Sequence, residues 1–126
     1  MKLLHDEEES DALRAFLLDA DIVSCELVLA ELSRAVRRAA ARDSRLPLED
    51  LLRRVAELLE AVALLPVDRA LLLEAGALRE PALRTLDAIH VAAAVSLRAT
   101  DGFLTYDERQ GAAARLAGLR TLAPGA

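Results

Sequence analysis

Three acidic residues have the type and placement to do chemistry: Glu31 in Ala30-Glu31-Leu32, Asp87 in Leu86-Asp87-Ala88 and Asp107 in Tyr106-Asp107-Glu108. Carboxylates brought together repel one another, and a hard divalent cation relieves that repulsion. With one cysteine, Cys25, and two histidines, His5 and His90, the chain cannot assemble a zinc site of ordinary ligand spacing. A metal here is therefore expected on oxygen ligands, as Mg²⁺ or Mn²⁺. Such an ion activates water and stabilises charge on a phosphate undergoing in-line displacement, so the chemistry suggested is phosphodiester hydrolysis.

Each acid also has a plainer explanation. Glu31 borders the apolar stripe Val28, Leu32, Ala35 and Val36 and is spaced to pair with Arg34 or Arg38 on a solvated helix face. Asp87 opens an alanine-rich helix, where a carboxylate contributes about 0.3–1 kcal/mol through capping and the helix dipole. Thr105 and Glu108 around Asp107 match the spacing of a capping box. His90, one turn beyond Asp87, reads as a hydrogen-bonded helix residue and not as a catalytic base. What lifts the acids above these explanations is that all three fall at helix entries or first turns expected along one edge of a sheet.

The elements that would place them there follow from hydrophobic periodicity. A helix is expected over 10–19 with Leu13, Phe16 and Leu17 on one face, then a strand Ile22-Val23-Ser24-Cys25 and a helix from Glu26 to Arg42. Leu51, Leu52, Val55, Leu58, Leu59 and Val62 recur at helical spacing, and Leu64-Leu65-Pro66-Val67 suits a short strand leading to a helix near Asp68. Further on, the pattern predicts a helix Asp87 to Leu97, a strand Gly102 to Thr105, a helix Asp107 to Ala117 and a last edge strand Leu119 to Leu122. Strands alternating with helices predict an α/β fold, a mostly parallel sheet covered on both faces, with ligands outside the carboxyl ends of its strands.

Composition bounds what such a domain does. At 126 residues without repeats or linkers, the chain is expected to be one domain over 1–126. It is 54% hydrophobic, but no apolar run approaches the roughly 18 residues of a membrane span. The N-terminus runs into His5-Asp6-Glu7-Glu8-Glu9, unlike a secretory leader, so a cytoplasmic protein with no membrane partner is expected. A net charge of −5 argues against a broad basic nucleic-acid surface, and aromatic residues at 2% argue against base stacking. Arg34, Arg37, Arg38, Arg42, Arg45, Arg53 and Arg54 read as a solvated face. An RNA substrate would be recognised by backbone and shape.

Three segments in order, Val23-Ser24 with Ala30-Glu31-Leu32-Ser33-Arg34-Ala35, Thr85-Leu86-Asp87-Ala88-Ile89-His90-Val91-Ala92-Ala93-Ala94 and Phe103-Leu104-Thr105-Tyr106-Asp107, resemble the VapC-type PIN domains. The resemblance covers nearly the whole chain. It implies a three-layer α/β/α domain and an endoribonuclease toxin restrained by a cognate antitoxin, with RNA as substrate and a homodimer as the expected assembly. It further implies that Glu31, Asp87 and Asp107 surround Mg²⁺ (or Mn²⁺), with the Thr105 hydroxyl supporting Asp107.

One departure is large. PIN domains begin with a central strand ending in Asp-x-Ser-Ala, whose aspartate is a metal ligand, whereas Met1-Lys2-Leu3-Leu4 resembles the interior of the helix that follows it. Asp6 falls toward the far end of that helix and is no substitute. The expectation is an N-terminally truncated PIN domain with a missed upstream start, a poor nuclease until a strand ending in aspartate is supplied. Two other functions compete: an inactive PIN remnant that still binds an antitoxin or dimerises, and a helical adaptor using the Leu51 to Val62 segment. The first predicts partner binding without metal-dependent cleavage, and the second needs no acid cluster.

Overall fold

Alternation of short apolar runs with amphipathic stretches produces strands and helices in turn. The computed structural model describes Ala12, Ala15, residues 22–98 and residues 102–125. The described elements run β1 (Ile22–Cys25), α1 (Leu27–Arg42), α2 (Leu48–Glu60), β2 (Val62–Leu65), α3 (Arg69–Gly76), α4 (Thr85–Ser96), β3 (Phe103–Leu104), α5 (Glu108–Leu116) and β4 (Thr121–Leu122). This is the α/β class expected. The predicted 10–19 helix lies outside the described residues except for Ala12 and Ala15, and so do Met1 to Asp6. Among the described residues the strands form two pairs, β1 with β2 and β3 with β4, where a single sheet was expected.

The chain gathers into two compact units, residues 1–64 with Gly125 and residues 65–124 with Ala126. In the first, α1 packs on α2. Val36, Leu51 and Val55 are the buried centre, and Leu32, Leu46, Leu48, Leu52 and Leu59 pack around them. These residues recur at three- and four-residue intervals, so each helix presents one apolar stripe to the other. Glu49 and Asp50 in the first turn of α2 complement its positive end. Between the helices, Arg45 donates from its backbone N and its Nε to Asp43 Oδ1, each at 3.0 Å. The Arg45 guanidinium, then its backbone N–H, hold the exposed Asp43 carboxyl below its usual range. Arg34, Arg37, Arg38, Arg42, Arg45, Arg53 and Arg54 are exposed, as a solvated face requires.

Several boundaries differ from the sequence pattern. The strand expected over 102–105 is only Phe103–Leu104. The last strand, expected over 119–122, is only Thr121–Leu122, with Leu119 instead folded onto the preceding helix. The strand expected at 64–67 is β2 at Val62–Leu65: α2 stops at Glu60, and Pro66, with no N–H to give a ladder, closes the strand. The helix expected from Asp87 is α4, starting at Thr85 behind Arg84, whose side chain makes no cap.

In the second unit α4 packs against α3 and α5. Asp68 caps α3, its Oδ1 accepting from Leu71 N at 2.9 Å. Ala88, Ile89, Val91, Ala92 and Ala93 of α4 are buried, and Val91 meets Ala114 of α5 and Leu119 in a second core. The end of α5 explains how Leu119 arrives there. Gly118, at φ +92°, donates to Arg115 O at 3.0 Å, and Leu119 N donates to Ala114 O at 2.9 Å. That pair of bonds is a Schellman motif, and the left-handed glycine turns the chain so that the next residue folds back onto the helix.

The chain then enters β4, which pairs in parallel with β3, Phe103 opposite Thr121 and Leu104 opposite Leu122. Gly102, at φ +135°, lets the two strands meet: a Cβ there would lie 2.8 Å from Leu122 Cγ. Arg98, at φ +51°, ends α4 in the same left-handed region without being glycine.

Candidate active site

Asp107 is the N-cap of α5, and local hydrogen bonds fix it from both sides. Its Oδ1 accepts from Gln110 N at 2.9 Å, and its own N–H donates to Thr105 Oγ1 at 3.1 Å. The Thr105 hydroxyl donates in turn to Gln110 Oε1 at 2.7 Å. Thr105 is anchored to β4, its N–H bonding Leu122 O at 3.0 Å, while the Tyr106 hydroxyl donates to Pro124 O at 2.6 Å. The capping box expected from Thr105 to Glu108 is therefore displaced. The cap runs from Asp107 to Gln110, because Thr105 still belongs to the strand's last ladder bond and its hydroxyl serves the Asp107 backbone.

Asp87 is at the third position of α4 and half-buried. It does not cap that helix, so the capping explanation fails for it and a contribution to the dipole remains. Among the described residues no hydrogen bond or ion pair engages its carboxylate.

Asp87 and Asp107 line one open cavity of about 300 Å³ together with Ala82, Leu83, Arg84, Glu108 and Arg109. Within this unit, among the described residues, no set of three acidic, histidine or cysteine side chains forms a group able to hold a metal. The two aspartates still suit Mg²⁺ or Mn²⁺, which bind through one or two carboxylates and keep water or substrate phosphate as further ligands. Asp87 has both oxygens available, and Asp107 keeps Oδ2 beside the capping Oδ1.

Glu31 belongs to the first unit, half-buried on α1 beside Leu32. Cys25, at the end of β1, is fully buried and feels the Glu31 charge. Burial pushes the Cys25 thiol above its ordinary value, and the Glu31 and Glu26 carboxylates push it further, against backbone hydrogen bonding from Leu27. His90, on α4, is half-buried. Arg84 and Arg109 are cavity residues that the sequence pattern passed over. The signal was their spacing, three residues before Asp87 and two after Asp107.

Residues 1–116 match the PIN domain family. The chain belongs to that family, in its VapC branch. It is 41% identical over 128 residues to Ribonuclease VapC46 of Mycobacterium tuberculosis (strain ATCC 25618 / H37Rv), covering 98% of this chain and 91% of the relative. Ribonuclease VapC35 of the same strain is 36% identical over 131 residues, covering 99% and 91%. Ribonuclease VapC47 of strain CDC 1551 is 33% identical over 131 residues with the same coverage. No solved structure matches the chain. Among the described residues, no helix is long and apolar enough to cross a membrane.

Proposed function

We propose that residues 1–126 work as one PIN domain, a Mg²⁺- or Mn²⁺-dependent endoribonuclease toxin that hydrolyses RNA phosphodiester bonds and is restrained by a cognate antitoxin in the cytoplasm. The observation that carries the reading is the cavity shared by Asp87 and Asp107, in a chain whose curated relatives are named ribonucleases. Asp87, Asp107 and Glu31 are the residues assigned to the metal, and Thr105 supports Asp107. When bound, the ion would supply an acidified water and offset charge on the phosphate.

The chain's own part is electrostatic and positional. Asp87, free of any cap, offers an unspent negative charge; Asp107 offers one whose direction the α5 cap already sets. The first turn of α4 and the β3–α5 turn hold these two groups on the wall of one cavity, so a phosphodiester seated there meets both. The assembly expected is a homodimer.

The test measures Mn²⁺ binding by calorimetry and RNA cleavage with and without EDTA, on this chain and on one preceded by a strand ending in Asp-x-Ser-Ala. Asp87→Asn keeps size and removes charge. It is expected to abolish Mn²⁺ binding and to lower EDTA-sensitive cleavage by at least about 100-fold, the upper end of what losing an outer-shell metal partner costs. Stability should change by less than about 0.5 kcal/mol, as for a substitution that breaks no cap or core contact. Equal cleavage by Asp87→Asn and the parent sinks the assignment.

A further inference from the structure

Resting on that ribonuclease reading, we infer that Arg84 and Arg109 are the substrate-positioning residues of the site, holding the phosphates of single-stranded RNA on either side of the bond that is cut. Both line the cavity of Asp87 and Asp107. Both are exposed. Among the described residues neither makes a hydrogen bond or an ion pair through its guanidinium, although Asp87, Asp107 and Glu108 line the same cavity. They are thus cations placed beside acids without being spent on them.

Charge makes this placement informative. An acidic chain of net charge −5 repels RNA at long range, so any phosphate contact must come from cations concentrated where the substrate lies. The exposed arginines of α1 and α2 belong to the first unit, and Arg84 and Arg109 are the cations that this cavity itself supplies. Their chemistry selects the ligand. A guanidinium presents paired N–H donors that match two oxygens of one phosphate, and its charge persists at every working pH. Carboxylates with a divalent cation take one part of a phosphodiester backbone; arginines take the neighbouring anionic oxygens without reading any base, which also suits a protein with so few aromatic residues.

Their positions on the chain allow the role at little structural cost. Arg84 precedes α4 as its cap residue but caps through its backbone alone, and Arg109 lies in the first turn of α5, where Asp107 already does the capping. Replacing either side chain removes no core contact and no cap.

The experiment compares the parent with Arg84→Ala, Arg109→Ala and the double variant. Binding of a fluorescently labelled single-stranded RNA of mixed sequence is read by anisotropy across a salt series, in Mg²⁺, and repeated on an Asp87→Asn background that does not cleave. Each alanine should weaken RNA binding about tenfold, as loss of a charge-assisted contact does, and flatten the slope of log K against log salt by about 0.7. KM should rise while kcat at saturating RNA, Mn²⁺ affinity and melting temperature hold.

If an alanine variant folds poorly, Arg84→Lys and Arg109→Lys carry the test: the salt slope is kept and KM still rises, because a point charge replaces the fork. A double variant that binds RNA with parental affinity and slope overturns the inference. So does one that loses only capture of a co-expressed antitoxin, which would make these arginines a protein-docking pair. Equal cleavage by Asp87→Asn and the parent, by contrast, refutes the metal role of Asp87, and absence of EDTA-sensitive cleavage by the strand-extended parent refutes the nuclease reading; neither outcome bears on the arginine contacts.

Discussion

The α1–α2 pair and the α4–α5 pair bury their faces with different side chains. The first interlocks Val36, Leu51 and Val55 within a shell of leucines; the second closes on Val91, Ala114 and Leu119 with Ala88, Ala92, Ala93 and Ala113 also buried. Long branched side chains keep two helices together by filling space between them, whereas alanines let backbones approach. The difference bears on function. In the second unit, helices packed through small residues put the first turns of α4 and α5, with Asp87 and Asp107, on one cavity.

Opposite substitutions should therefore hurt the two pairs. Leu51, 4% exposed, is the sharpest probe of the first: Leu51→Ala should cost about 2–5 kcal/mol in urea unfolding through the cavity it leaves. A loss under about 1 kcal/mol would mean that the α1–α2 contact collapses to fill the space, and that its large side chains are not what sets it. Ala114→Leu tests the second pair. With no exposed surface at that position, added methylenes force α4 and α5 apart, and a loss of about 1–3 kcal/mol is expected, with weaker Mn²⁺ binding as Asp87 and Asp107 separate. A neutral Ala114→Leu would show the α4–α5 packing to be loose.

The smallest effect has the opposite sign. Within the second unit α5 ends on a left-handed glycine and α4 on a left-handed arginine, so Arg98→Gly should stabilise by about 1 kcal/mol. No gain in melting temperature would mean that the Arg98 side chain earns its strained backbone by a contact of its own.

The legibility of the sequence divides along the same line. The stripes Val28, Leu32, Ala35, Val36 and Leu51, Val55, Leu58, Leu59 mark α1 and α2 because burial there depends on large apolar residues at helical spacing. Around α4 the alanine-rich pattern has no polar face to mark its start, and Asp87 looked like a cap when the helix had already begun at Thr85. Asp107 was legible as a helix entry, but not its true partner Gln110, since Thr105 and Glu108 offered the more familiar spacing. Strand pairing was less legible still: β3 and β4 contribute two residues each, and their parallel register depends on Gly102, whose missing Cβ leaves no hydrophobic signature. The candidate acids Glu31, Asp87 and Asp107 were singled out by type and by family resemblance, and of these Asp87 and Asp107 share a cavity. Arg84 and Arg109 were not singled out, because a whole-chain charge of −5 hides two cations placed locally.

Asp107 shows what it means for one carboxylate to sit at a helix cap and a cavity wall together. A free aspartate that captures an ion must surrender its rotamer freedom at the moment of binding, a cost drawn from affinity. Here the bond from Gln110 N has already fixed one oxygen and with it the plane of the group, while Thr105 fixes the backbone beneath. The ordering is complete before any ligand arrives, and folding of α5 supplies it. Selection acting on the stability of this short helix would thus also preserve the aim of a chemical group, even in a population where the chemistry itself was not under test.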